Sequence, residues 1–193
     1  MKLSTLSPEA VGRDAAERVL RRLSRLAVPL SPGVTLALPH ADAAASGLAL
    51  TVADLTRWAQ SGDTADWGSH HGAEDALLEV GEALWSRPID AGASEGWTVD
   101  DLRAALADDS DPRDPVRLAV GCAVARWLIA SGQPVTTGEL AALASVTVGR
   151  VQQLAAHGEL ETTVERRGRA SVALVAAAEA RRWLAARGVA GWR

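Results

Sequence analysis

The sequence predicts a mainly α-helical fold in two parts, and three observations carry that reading. Helix-start signatures recur along the chain, each a Ser, Thr or Asp followed closely by an acid or a proline. The clearest strand-like runs that flank a tight turn lie between residues 160 and 175. Charge is also divided: residues 134–193 hold 8 Arg and 5 Glu, a net of +3, whereas residues 1–133 hold 12 basic and 19 acidic residues, a net of −7. At 193 residues and 48% apolar, the chain has room for one or two domains with a buried core. The overall charge of −4 excludes a uniformly basic, histone-like protein. We therefore expect an acidic, mostly helical domain over residues 1–112, and over residues 113–193 a long helix followed by a smaller basic unit.

The elements follow in order. Ser7-Pro8-Glu9 starts a helix, with Ser as the cap, Pro in the first turn and an acid behind it. Leu20, Leu23, Leu26 and Ala27 give it an apolar stripe to about residue 28, and Pro29, Pro32 and Gly33 end it. Val34–Leu38 and Leu48–Leu50 are short apolar runs expected to form a small β-hairpin. Thr51-Val52-Ala53-Asp54 starts a helix to about Gln60, residues 61–72 form a polar loop, and Ala73–Trp85 is helical by pattern. Thr98-Val99-Asp100-Asp101 starts another helix. Asp108–Pro115 is an acidic linker with two prolines, which puts the domain boundary near residue 112. Asp114-Pro115 then caps an apolar helix to about Ala130, apolar on more than one face and suited to pack between the domains or to form a dimer seam.

Residues 134–188 read as one unit. Thr136 or Thr137 caps a short helix over Gly138–Ala144, Ser145-Val146 makes a tight turn, and Thr147 caps a second helix to about His157, with Val151 and Leu154 inward. This spacing is that of a helix-turn-helix. Leu160–Val164 and Ser171–Val175 then read as two strands around Glu165-Arg166-Arg167-Gly168-Arg169, a hairpin with an arginine tip, or wing. Glu179–Arg187 closes the unit, with Ala180, Trp183 and Leu184 facing in.

The string ELAALASVTVGRVQQLAAHGEL, the RRGR wing and EARRWLAARG together resemble the winged helix-turn-helix domains of the excisionase and MerR-like superfamily. The resemblance covers residues 134–188, and the chain departs from the pattern at Ser145, where the turn usually has Gly, and at Ala176, where Pro often precedes the last helix. It implies double-stranded DNA as the partner, the second helix in the major groove, and the wing on the backbone or minor groove. The residues it assigns to DNA are Thr137, Thr147, Val148, Gly149, Arg150, Gln152, Gln153 and His157 on the helices, and Arg166, Arg167 and Arg169 on the wing. Arg150 suits a guanine edge and Gln152 or Gln153 an adenine. Thr147 and the helix start suit a phosphate, and the wing arginines suit phosphates or a narrow minor groove.

These residues point to a sequence-specific transcriptional regulator that acts as a homodimer on two half-sites, with the acidic domain serving dimerisation or a protein partner. The alternative is a protein-interaction or architectural module, of a phage-inhibitor or chromosome-associated kind, whose acidic domain binds a protein. No enzyme is expected: the chain has no P-loop, GxGxxG or GxSxG motif, and Asp100-Asp101 and Asp108-Asp109 sit at a helix start and in a linker. No metal or cofactor is expected either. His70-His71 with Asp63 and Asp66, or His40 with Asp42, lack a cysteine and a ligand spacing. Cys122 stands alone in an apolar pattern, which excludes an internal disulfide. No apolar run follows Met1 and Leu118–Ala130 is too short to span a bilayer, so a cytoplasmic, nucleoid-associated protein is expected. With no Phe or Tyr, the seven Trp residues must supply all aromatic packing.

Overall fold

Ser7 opens the first helix as the sequence predicts: its Oγ accepts from the Ala10 N–H at 3.4 Å, and α1 runs from Pro8 to Ala27 after a short 3-10 turn at Leu3–Thr5. The computed structural model describes residues 1–27, 47–63, 70–85, 97–108, 111, 113–167 and 170–192. Among them the chain is mainly helical, with eight α-helices and one small antiparallel sheet.

The helix α2 spans Gly47–Ser61. Leu48–Leu50, expected as a strand, is instead its first turn, which corrects the small N-terminal hairpin; the partner run Val34–Leu38 lies outside the described residues. Thr51 shows why. Its hydroxyl donates back to the Gly47 carbonyl at 3.0 Å, so it sits inside the helix rather than capping it. Ala49 is buried against α1, where a Cβ on Gly12 would lie 2.1 Å from the Ala49 oxygen. Gly12 thus lets the two backbones touch, and three apolar residues carry no periodicity that would separate strand from helix.

Two further helices, α3 over His70–Trp85 and α4 over Val99–Asp108, complete the N-terminal half. The α4 start is a reciprocal cap: the Thr98 N–H donates to Asp101 at 2.9 Å and the Asp101 N–H to the Thr98 hydroxyl at 3.2 Å.

The apolar helix α5, Pro115–Ala130, is the centre of the molecule. Asp114 caps it, accepting from the Val116 N–H at 2.9 Å, and also binds Arg18 of α1 through both oxygens, at 2.5 and 2.6 Å. The side chains buried along α5 include Val116, Val120, Val124 and the run Ala125–Ile129. They pack against α1, α2, α3 and α4 on one side and against the C-terminal elements on the other. One buried cluster therefore runs from Leu3 to Leu184, across residue 112. Burial pushes the Cys122 thiol up to about 12, which leaves it un-ionised and unreactive at neutral pH. Burial also lowers Arg126 to about 10, so it stays a cation. One of its nitrogens donates to the Ala59 and Ala190 carbonyls at 3.1 and 2.9 Å, and Trp192 covers the guanidinium at 4.8 Å.

The C-terminal elements are β1 (Val135–Thr136), α6 (Thr137–Leu143), α7 (Val148–Ala156), β2 (Thr163–Arg167), β3 (Ala170–Val175) and α8 (Ala177–Ala186). The strands form one antiparallel sheet in the order β1-β3-β2. Val135 pairs with Val175, Thr136 with Leu174, and the hairpin runs from Thr163↔Leu174 to Arg167↔Ala170. Strand β1 was not foreseen, since two residues have no period to read. Strand β2 starts three residues later than expected, because Leu160 is buried ahead of it as an anchor. Helix α8 buries Ala180, Trp183 and Leu184, as its spacing predicts, and starts two residues earlier than expected, with Ala177 buried as well.

The turn between α6 and α7 is a Schellman end, with the Ser145 N–H bonded to the Ala142 oxygen and the Val146 N–H to the Ala141 oxygen, at 3.1 and 3.0 Å. The left-handed position falls on Ser145, at φ +54°, where the same motif after α7 uses Gly158. A side chain in this conformation is strained, so Ser145→Gly is expected to raise the unfolding free energy by about 0.5–1 kcal/mol. Urea denaturation of the two proteins checks this; equal midpoints would show that Ser145 carries no strain.

Candidate nucleic-acid interface

The site begins at the cap of α6. Thr136 accepts from the Glu139 N–H at 3.1 Å, and Glu139 Oε2 accepts from the Thr136 N–H at 2.6 Å. The same carboxylate takes both prongs of Arg103 from α4, each at 2.6 Å, with both side chains largely out of water. The N-terminal helices therefore grip the residue where β1 meets α6. Sequence reading missed this clamp, since nothing local links residues 36 apart.

Thr136 rather than Thr137 is the cap, and Thr137 is only 6% exposed. Thr137 is thus not brought to the surface with the other expected contact residues. Helix α7 presents those. Thr147 caps it through the Arg150 N–H at 3.3 Å, Val151 and Leu154 face the core, and His157 closes it. Thr147, Val148, Gly149, Arg150, Gln152, Gln153 and His157 are all exposed. At about 100° per residue, Val148 and Gln152 share one flank of this face and Arg150 and His157 the other, with Gly149, Gln153 and Ala156 between. A Cβ on Gly149 would meet nothing within 4 Å, so its place is open to an incoming surface.

The hairpin presents Arg166 from β2, which is paired on one edge only. Arg166 and Val164 share one face, since strand side chains alternate, and both are exposed. Arg169 and the side chain of Arg167 lie outside the described residues.

Electrostatic commitment separates these arginines from their neighbours. Arg181 donates to the Ile129 and Ala130 carbonyls, Arg182 is bidentate to Glu179, and Arg187 lies 4.3 Å over the Trp183 ring. Arg150 and Arg166 have no such partner among the described residues. A guanidinium without a protein acceptor keeps its fork of donors for an external one.

Among the described residues no group of three metal-ligating side chains comes together, and no helix is long and apolar enough to cross a membrane. His40, Asp42, Asp66 and the side chains of His70 and His71 lie outside those residues. Comparison with protein-family models, curated proteins and solved structures finds no match for the chain.

Proposed function

We propose that residues 113–192 form a winged helix-turn-helix and that the protein binds double-stranded DNA in a sequence-specific manner, as a transcriptional regulator. The element order α5, β1, α6, α7, β2, β3, α8, with β1 completing the hairpin sheet, supports this reading. The observation that carries it is the pair Arg150 and Arg166, exposed on α7 and on the hairpin and free of acceptors among the described residues. In this account α7 enters the major groove, which is about 12 Å wide and admits a helix. Thr147 and the start of α7 sit at a phosphate. Arg166 meets the backbone or the minor groove beside it.

A single unit of this size buries modest surface, so useful affinity calls for two copies on half-sites about one helical turn apart. The acidic N-terminal helices then serve to dimerise or to hold a protein partner, and the net of −9 over residues 1–112, from 9 basic and 18 acidic residues, keeps them off DNA.

Each phosphate neutralised by the protein releases condensed counterions and adds about 0.9 to the slope of log affinity against log salt. Arg166→Ala is therefore expected to weaken binding to all sequences alike and to lower that slope by about 1. The check is a salt titration of both proteins on one duplex; an unchanged slope would remove Arg166 from the backbone.

A further inference from the structure

We infer that Val148 is a specificity-determining residue that reads the 5-methyl group of a thymine in the major groove; the inference rests on the DNA-binding reading of α7. Val148 is 43% exposed in the first turn of that helix, while Val151 and Leu154 already supply its contact with the core. Fold stability does not require an apolar side chain there. Four large apolar side chains are exposed among the described residues, and two of them fall in the C-terminal unit: Val148 and Val164, the latter 73% exposed. Each stands two residues before an arginine without a partner, Arg150 and Arg166 respectively.

That spacing puts the pair on one face of β2 and on opposite flanks of α7, and both elements thereby fit a partner both charged and locally apolar. A DNA groove has this character, with phosphates and base acceptors for the guanidinium and a methyl or a sugar edge for the isopropyl group. Thymine alone offers a methyl group in the major groove. Val148 is well suited to it, because β-branching holds its χ1 close to a single value in a helix and little freedom is lost on contact. Val148 and Arg150 lie on opposite flanks of α7, so the thymine and the group met by Arg150 lie on either side of the helix axis.

The test uses the full chain and a duplex selected by the wild-type protein. Each thymine is replaced in turn by deoxyuridine, which removes only the methyl group. Wild type is expected to lose affinity about fourfold at one position per half-site, the weight of one buried methyl-sized group. Val148→Ala is expected to bind thymine and uracil duplexes equally there, and Val148→Ile to keep the discrimination. Binding that no uracil weakens, or an equal loss by wild type and Val148→Ala, would overturn the role of Val148 and leave DNA binding standing. A wild-type protein that selects no duplex would overturn both, and would turn the exposed valines toward a protein partner.

Discussion

Asp114→Ala is expected to lower the unfolding free energy by about 2–4 kcal/mol. Two losses add. Removing the cap of α5 costs about 1 kcal/mol. Breaking the pair with Arg18 costs less than the about 3–5 kcal/mol of a fully buried pair, because Arg18 is 31% exposed and keeps its bond to Asp14 at 2.8 Å. The pH dependence has a definite sign. Burial alone would raise the Asp114 carboxyl, but the hydrogen bonds and charge of Arg18 outweigh it and hold the group below the usual carboxylate range. A depressed folded value stabilises the protein above the unfolded value, near 4, and that stability is lost as pH falls through the folded one. Asp114→Asn keeps the cap and removes the charge. The gap in stability between wild type and Asp114→Asn is therefore expected to be full at pH 7 and to close below about pH 4. Thermal unfolding across that range checks this, and a gap that persists at low pH would show that Arg18 is not the cause.

Arg150→Ala is expected to cost about 1–3 kcal/mol on the selected duplex, between about fivefold and a hundredfold in affinity, and to relax the preference at one base pair. Little stability should change with it, since the side chain is exposed and has no partner to strand among the described residues. A competition assay over all four bases at each position separates the two kinds of contact. Loss confined to one position marks a base reader, whereas an equal loss on every sequence would assign Arg150 to a phosphate.

Local chemistry made much of the fold legible. Capping residues announced helix starts at Ser7, Thr98, Asp114 and Thr147, and those side chains make the caps; of the two threonines left open at the next helix Thr136 makes it, while Thr51 sits inside its helix. The 3.6-residue spacing of Ala180, Trp183 and Leu184 fixed the inner face of α8. What was not legible depended on distant partners. Leu48–Leu50 reads equally well as strand or helix until Gly12 of α1 is placed against Ala49. Strand β1 exists because Val175 lies beside Val135, and two residues contain no pattern to announce it. The Arg103–Glu139 clamp joins elements that are far apart in the chain. For the interface, the exposed face of α7 followed from Val151 and Leu154 facing inward. The distinction between Arg150 and Arg166 and the committed arginines of α8 required the partners of each, which only the folded chain supplies.

The central claim, that the C-terminal unit reads DNA, is tested most directly by selection. The purified full chain is mixed with random genomic fragments, the bound fraction is sequenced, and the best fragment is titrated with salt. The account predicts a short, two-fold symmetric sequence with half-sites about one helical turn apart, bound with an affinity that falls steeply with salt, and less steeply for Arg166→Ala. No enriched sequence, with weak binding that vanishes near physiological salt, would contradict it.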